Sequence, residues 1–416
     1  MTQDPEEADR SQVRTVGSLV SRLLARPVLI GAGVVLVMLL AGLVGWRLTG
    51  GGEYVAPTPT AAPVVRADTE GARASLEQLV TGVREGAEPD GEDAASVAVR
   101  NARAIGVEDV AARYVAESGN VAADGSWTAD VEMSWRTPGD PVLTEELKVG
   151  FDAGGAITGF SAAQGTRLPL WLSGPVEVRR TGSTLVVVQA SADVADRYAK
   201  LAATAVDEVR KVISWDDPRL VLEVPATGLE SALGAQPGAY SAVAAVTATV
   251  DGSTKAGTPL HVWVNQGVIG DLDAPGAQVV ITHEATHAAT DAPTGTNRPM
   301  WLVEGFADYV ALRETTLPLS KTAGQILAQV RENGAPDHLP GKAEFNTRSE
   351  HFGAEYEAAW LACEVLAEAG GEEALVDLYE ETGRGTALEK ALQSSFGFGE
   401  DELTARWRAH LSESAA

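Results

Sequence analysis

The feature that most constrains the fold of this chain is an uncharged apolar run near its N-terminus. Between Arg26 and Arg47 the sequence reads PVLIGAGVVLVMLLAGLVGW, without a charged residue. At ~1.5 Å rise per residue, a helix of this length matches the ~30 Å hydrocarbon core of a bilayer. The run predicts a membrane-spanning helix over residues 27–46. A cleaved signal peptide is the alternative, although its apolar region is normally only ~7–15 residues long and precedes a small-residue cleavage site.

The basic residues on either side of this run predict its orientation. Arg14, Arg22 and Arg26 lie close before it, whereas Arg47 is the only basic residue directly after it. Because positive charge is enriched on the cytoplasmic side, residues 1–26 are expected in the cytoplasm. No second run of this length follows. The prediction is a single-pass protein of the cell membrane that contacts the lipid bilayer through one helix and is otherwise extracytoplasmic.

The composition of the whole chain is typical of an acidic globular protein. A length of 416 residues suggests more than one domain, and 45% hydrophobic with 22% charged residues is typical of packed proteins. The net charge of -26 argues against a nucleic-acid partner, since phosphate binding requires clustered Lys and Arg. Cys363 is the only cysteine, so no internal disulfide can form, and a buried side chain is expected there. Nothing in the composition indicates an oligomeric state.

The region before residue 181 divides into a linker and an α+β unit. Residues 47–67 are rich in Gly, Pro, Thr and Ala, which predicts an extended linker. Residues 69–115 show helical spacing, and the runs WTADVEMSW, LTEELKVGF, AITGF and LWLSGPVEVRR predict short strands. Helices followed by an antiparallel sheet give an α+β layout for a spacer or binding domain over residues 68–180. In pattern it resembles the cystatin-like roll of nuclear-transport-factor-like domains, and it holds no catalytic cluster.

A second α+β domain is predicted over residues 181–416. The run TLVVVQA predicts a strand, an amphipathic helix follows over about 192–213, and RLVLEV predicts another strand. The apolar runs AYSAVAAVTATV and LHVWV come next. After residue 274 the pattern is almost wholly helical.

Residues 282–291, THEATHAATD, carry the strongest chemical signal in the sequence. Asp273 can cap a helix with Pro275 in its first turn. On that helix His283 and His287 lie one turn apart on the same face, so both imidazoles can bind one metal ion. Glu284 follows the first histidine, where a carboxylate can accept a proton from water. Two imidazoles, a water and a base are what hydrolysis with Zn²⁺ requires.

The third metal ligand is predicted on the next helix. A continuation of the motif as H-x-x-G-x-x-H is excluded, because Thr290 and Pro293 occupy the diagnostic positions. The run RPMWLVEGFADYVAL supplies Glu304 instead, with Trp301, Leu302, Phe306 and Val310 forming a buried side. Asp308 lies one turn beyond Glu304 and is expected to accept the free N–H of His283, which fixes that ring. The alternative is a charge network between two helices without a metal.

These two motifs resemble those of the gluzincin metallopeptidases. HEATH followed by WLVEGFADY is similar to their two metal-binding helices, and residues 184–412 resemble the peptidase MA-like group of bacterial envelope proteins. The resemblance implies a thermolysin-like zincin fold with a mostly helical C-terminal part. It also implies that His283, His287 and Glu304 bind Zn²⁺ and that Glu284 is the general base and acid.

The resemblance also bears on residues outside the two motifs. Tyr356 aligns with a tyrosine that stabilises the oxyanion in related enzymes, but a core tyrosine is an equal alternative. His351 is a second candidate for that role. His261 is expected on an edge strand that pairs with substrate. His338 and His410 are expected at the surface. The Gly-Ala-Met-Glu-Asn stretch of gluzincin aminopeptidases is absent, which puts exopeptidase activity in doubt.

The sequence therefore predicts a membrane-anchored, extracytoplasmic zinc metallopeptidase that acts on a peptide or protein substrate. One alternative is a non-catalytic envelope binding or scaffold protein with a structural or vestigial zinc site, since a fold does not guarantee a function. A second alternative is a hydrolase of a non-protein amide or of a peptidoglycan stem peptide.

Overall fold

The computed structural model describes residues 66–86, 89–295, 297–345 and 352–416, which belong to one compact unit. The tail predicted over residues 1–26, the membrane helix predicted over residues 27–46 and nearly all of the linker lie outside these ranges. Among the described residues, no helix combines the length and apolar character needed to cross a membrane.

Two helices and a four-stranded antiparallel sheet form the N-terminal part of the described chain. The elements are α1 (Thr69–Glu85), α2 (Ala94–Ile105), β1 (Glu108–Ser118), β2 (Trp127–Arg136), β3 (Leu143–Phe151) and β4 (Ile157–Ala162). The strands lie in the order β1-β2-β3-β4. Asp68 and Asp93 cap the two helices, each accepting a backbone N–H at 2.9 Å. The mixed α+β composition expected from the sequence is confirmed.

Strand β1 begins inside residues 69–115, for which the sequence predicted helices only. Helix α2 ends at Ile105 because Gly106 takes a left-handed conformation, with φ of 75°, and its N–H satisfies carbonyls of the last turn. Beyond it the chain is extended, and β1 pairs along its length with β2. Pairing with a distant strand determined this segment, and its local sequence pattern did not reveal it.

Only the second half of the run LWLSGPVEVRR forms the strand predicted for it. Leu170–Ser173 make a helical turn, α3, in which Leu170, Trp171 and Leu172 are all buried. Three consecutive buried side chains are incompatible with the alternation of a half-exposed strand. The following strand, β5 (Glu177–Arg180), joins a second sheet rather than the first.

The second sheet has five strands in the order β5-β6-β7-β9-β8. Its further strands are β6 (Thr184–Val188), β7 (Leu220–Val224), β8 (Ala245–Thr249) and β9 (Leu260–Val264). Helix α4 (Ala192–Val212) connects β6 to β7, which are parallel, and β7 is parallel to β9. Strand β8 runs antiparallel to β9 and forms the open edge.

Helices dominate the rest of the described chain, as the sequence predicted. Short helices α5 (Leu229–Ala232) and α6 (Gln266–Ile269) flank β8 and β9, and no strand follows β9 in the described ranges. The later helices are α7 (Ala274–Ala289), α8 (Met300–Leu312), α9 (Leu319–Thr322), α10 (Gly324–Asn333), α11 (Phe352–Gly370), α12 (Glu372–Gly383), α13 (Leu388–Phe396) and α14 (Glu400–Ala415). A short 3-10 turn, Ala292–Thr294, lies between α7 and α8.

The second sheet separates two hydrophobic cores. Val186 and Val188 of β6 pack into the core formed with the C-terminal helices, which also buries Cys363. Leu185 and Val187 of the same strand pack into the core of the N-terminal helices and sheet. Because successive side chains of a strand point to opposite faces, β6 contributes to both cores. The N-terminal part is therefore packed directly on the sheet that supports the C-terminal helices.

Candidate metal centre

Helix α7 presents the two motif histidines side by side. The helix begins after Asp273, whose side chain accepts the Gly276 N–H at 2.8 Å, and Pro275 lies in its first turn. His283 and His287 follow two turns later, both buried, with their Nε2 atoms 2.9 Å apart. Helical geometry explains this approach, because residues four apart lie on one face.

Helix α8 brings Glu304 to the same point. It begins after Pro299, and Trp301, Leu302, Phe306 and Val310 are buried as the sequence predicted. Glu304 Oε2 lies 3.3 Å from His283 Nε2 and 3.2 Å from His287 Nε2. Three atoms that can bind a metal, two imidazole nitrogens and one carboxylate oxygen, therefore face one another from two helices.

The donor set fits a metal ion. One ligand atom from each of His283, His287 and Glu304 lies within 4.8 Å of the others. Ligands about 2.0–2.1 Å from a tetrahedral zinc ion are separated by roughly 3.4 Å, close to the spacing here. Three protein ligands also leave one position open, which distinguishes catalytic zinc sites from closed structural ones. The group could hold a metal ion of this kind.

Asp308 fixes the orientation of His283. Its Oδ1 lies 2.7 Å from His283 Nδ1, so a hydrogen on Nδ1 leaves the lone pair of Nε2 directed at Glu304 and His287. His287 lacks such support, since its Nδ1 is buried without a hydrogen-bond partner in the described part of the chain. Of the two imidazoles, His283 is the one that the surrounding protein holds in place.

The electrostatics of the cluster favour a cation. Burial acts to lower the pKa of His283, but the charges of Asp308, Glu304 and Glu284 raise it well above the usual value. For Glu304, burial acts to raise the pKa, yet the two facing histidines hold it well below its ordinary range. Three carboxyl groups surround the two imidazoles, and their negative charge stabilises positive charge between them. A metal ion bound there would take the place of the protons on the imidazole nitrogens.

Glu284 is held from the side by Thr247 of strand β8. The Thr247 hydroxyl lies 2.6 Å from Glu284 Oε2 and 2.9 Å from the Glu284 carbonyl oxygen. Both residues are buried, and Glu284 also lines the cleft that contains the histidines. Sequence reasoning did not identify Thr247, because a threonine in a short apolar strand carries no signal of its contact with a helix 37 residues later.

Tyr356 lies in the first turns of α11, next to the metal-binding group. Its ring centroid is 5.9 Å from that of His283, and Phe345 packs edge-on against it at 5.2 Å. Burial, followed by the charges of Glu304, Glu284 and Asp308, raises the pKa of Tyr356 well above its usual value, and its hydroxyl hydrogen-bonds with Glu304. The phenol therefore stays neutral and able to donate a hydrogen bond.

The group opens onto a cleft of about 1010 Å³. Strand β8 lines one side through Ala245, Val246 and Thr247, and the segment before α8 lines another through Arg298. The first turn of α14 adds the acidic side chains of Glu400 and Asp401, and the segment 337–342 completes the lining. A cleft of this size accommodates an extended chain segment as well as a small molecule.

The structure corrects the expectation for His261. It lies on β9, which is an inner strand between β7 and β8, so it cannot pair with a substrate strand. Its imidazole is buried, with Nδ1 2.5 Å from Glu223 Oε1 and Nε2 3.4 Å from Asp140 Oδ2. His338 is exposed at the cleft wall, and His410 is half-buried on α14. His351 lies outside the described residues.

Comparisons with known proteins do not assign this chain to a family. No family model and no curated protein matches this sequence. Among solved structures, an M1 zinc metallopeptidase from Deinococcus radiodurans aligns over 74% of this chain and 62% of its own, at 14% identity and a TM-score of 0.33. A mutant M1 zinc metallopeptidase from the same organism, bound to a Tyr-Ser-Ala substrate, aligns over 73% and 61%, at 13% identity and 0.34. This chain thus spans less than two thirds of either protein, and TM-scores of this size do not establish a common fold.

Proposed function

We propose that this chain is a zinc metallopeptidase that hydrolyses peptide bonds. The observation that supports the proposal best is the convergence of His283 Nε2, His287 Nε2 and Glu304 Oε2 to within 3.3 Å of one another. The acidic residue Glu284, which is not part of this ligand set, lies beside them in the same cleft. A site that only held a metal would have no use for that carboxylate or for a large open cleft.

His283, His287 and Glu304 would hold the Zn²⁺ ion. Zinc in such a site polarises a carbonyl group and lowers the pKa of water to about 7. Asp308 keeps the ring of His283 oriented, and its negative charge increases the basicity of that ligand. Glu304 arrives from a different helix, so the packing of α7 against α8 determines whether the ligand set is complete.

Glu284 would act as general base and then as general acid. Its carboxylate takes the proton of the attacking water, and it later returns a proton to the leaving amine. The Thr247 hydroxyl contacts Oε2 of this carboxylate at 2.6 Å. Tyr356 would donate a hydrogen bond to the oxyanion, a role supported by its neutral phenol beside the ligand group.

The open edge of β8 would bind the substrate backbone. Asn265 N donates to Ala244 O at 2.8 Å and Val250 N donates to Pro259 O at 3.0 Å. In the antiparallel register with β9, residues alternate between pairs that exchange these bonds and pairs that do not. Ala245 and Thr247 therefore direct their N–H and C=O groups away from β9, towards the open edge. A peptide strand added there would lie next to Glu284.

The cellular location is proposed from the sequence alone. The uncharged run of residues 27–46 and the arginines before it support a single-pass protein anchored in the cell membrane with its catalytic part outside the cytoplasm. Residues 68–180 would then hold the catalytic part above the bilayer, or recognise a partner.

The test uses the full chain purified in detergent. Zinc content is measured by elemental analysis, and cleavage of a diverse peptide mixture is followed by mass spectrometry. We expect about one zinc per chain, cleavage by the wild type, and loss of at least ~100-fold in rate for Glu284→Gln with zinc retained. Glu380→Gln, the same substitution outside the cleft, should leave the rate unchanged. Stoichiometric zinc without cleavage by any variant would instead favour the non-catalytic scaffold.

A further inference from the structure

Thr247 makes an unusual pair of contacts for a residue of an edge strand. Its side chain is 7% exposed, and its hydroxyl reaches both Oε2 and the carbonyl oxygen of Glu284. A hydroxyl has one hydrogen and donates to one acceptor at a time. The carboxylate is the closer acceptor, at 2.6 Å, and bonds to charged acceptors are roughly twice as strong as neutral ones. The hydroxyl is therefore expected to donate mainly to Oε2.

The hydrogen bond from Thr247 holds one oxygen of the Glu284 carboxylate from the side of the sheet. A glutamate side chain has several rotatable bonds and loses rotamer entropy when it is held in one geometry. A base that must meet water at one defined point gains from a partner that fixes one of its oxygens.

We propose that Thr247 is a positioning residue for the reaction. Its hydroxyl holds Oε2 of Glu284, and this fixes the carboxylate in the orientation in which it takes the proton of the water. Because its own N–H and C=O lie at the open edge of β8, the same residue couples the bound substrate strand to the orientation of the base. This inference rests on the proposed function. The competing explanation is a structural contact, in which the hydroxyl only satisfies the Glu284 carbonyl.

Kinetics of matched variants separate these two roles. Thr247→Val keeps the branched shape and the strand but removes the hydroxyl, and Thr247→Ser keeps the hydroxyl. Thr249 is the matched control, since it lies two residues along the same face, is equally buried, and bonds the Ser253 carbonyl instead. Thr249→Val should therefore lose a comparable amount of stability without affecting Glu284.

We expect Thr247→Val to lower kcat by ~10- to 100-fold, the worth of a hydrogen bond to a charged group, with KM and zinc content unchanged. Thr247→Ser should recover kcat to within a few-fold of the wild type, and Thr249→Val should stay within about twofold. Equal kcat values for Thr247→Val and Thr249→Val would overturn the proposal, as would a serine variant no better than valine.

Crystal structures give a readout that does not depend on turnover. In the zinc-loaded wild type the Glu284 carboxylate should occupy one ordered position on Thr247, and in Thr247→Val it should move or divide between conformers. An unchanged, ordered carboxylate in Thr247→Val would overturn the positioning role. A wild type without peptidase activity whose carboxylate still moves in Thr247→Val would refute the proposed function and leave the positioning contact established.

Discussion

Replacing Gly305 by alanine should displace helix α8, which carries Glu304 of the candidate metal centre. Gly305 follows the ligand Glu304 on α8 and packs against α11. A Cβ placed on Gly305 would lie 2.2 Å from the Ala359 carbonyl oxygen and 2.6 Å from its carbon. An ordinary contact to that oxygen is at least ~3 Å, so the helices must move apart by on the order of 1 Å. Extra atoms in a packed core cost about 1–3 kcal/mol, and backbone cannot rotate away as a side chain can.

The displacement should affect the metal as well as stability. Glu304 moves with α8, whereas His283 and His287 stay on α7, so the spacing of the three candidate ligands changes. We expect Gly305→Ala to lower the urea midpoint and to weaken zinc binding by at least ~10-fold in competition with a coloured chelator. Gly324→Ala is the matched control, because a Cβ at this helical glycine meets no atom within 4 Å. If Gly305→Ala matched Gly324→Ala in both stability and zinc affinity, the close approach of α8 and α11 would not be needed for the site.

Two further predictions concern the groups around the histidines. Burial acts to lower the pKa of His261, but Asp140 and Glu223 raise it from 6.5 to about 9. Its stabilising contribution, on the order of 3 kcal/mol, is therefore fully present below about pH 6.5 and lost as pH rises through about 9. Urea unfolding of wild type and His261→Gln between about pH 6 and pH 10 should show a stability difference that shrinks with pH, and a constant difference would contradict this. Asp308→Ala removes the acceptor of His283 Nδ1 and should weaken zinc binding by ~10- to 100-fold, with Asp308→Asn in between; unchanged affinity in calorimetric titrations would show that the contact does not support the ligand.

The helices of the candidate site were predictable because their signals are local. The cap at Asp273, the spacing of His283 and His287, and the apolar side of α8 all depend on residues within one or two turns. The contact between Asp308 and His283 followed from the same periodicity once the two helices were assumed to meet. Local sequence was therefore enough to predict the three residues that the structure brings together, although it could not supply the distances between the helices.

The elements that sequence reasoning missed depend on distant pairing. Strand β1 is extended because it pairs with β2, and β5 belongs to the second sheet because it pairs with β6. The local sequence of β1 or β5 does not show which strand it will pair with. The prediction that His261 lies on an edge strand was wrong for the same reason. Its strand, β9, is internal because β8 pairs with it on the outer side. Strand order is a property of the whole sheet, and apolar runs predict strands without predicting their neighbours.

The second sheet links the N-terminal part to the candidate site through its two faces. On one face, Leu185 and Val187 pack with the N-terminal helices and sheet, and His261 bonds Asp140 of the turn after β2. On the other face, Thr247 of β8 holds Glu284. His261 and Thr247 lie on the adjacent, paired strands β9 and β8. A shift of the N-terminal part would therefore be transmitted through β9 to Thr247, for which we propose the positioning of Glu284. Packed interiors transmit such displacements because they have little free volume to absorb them. On this argument the packing of the N-terminal part would influence the geometry of the candidate site, although none of the three candidate ligands comes from it.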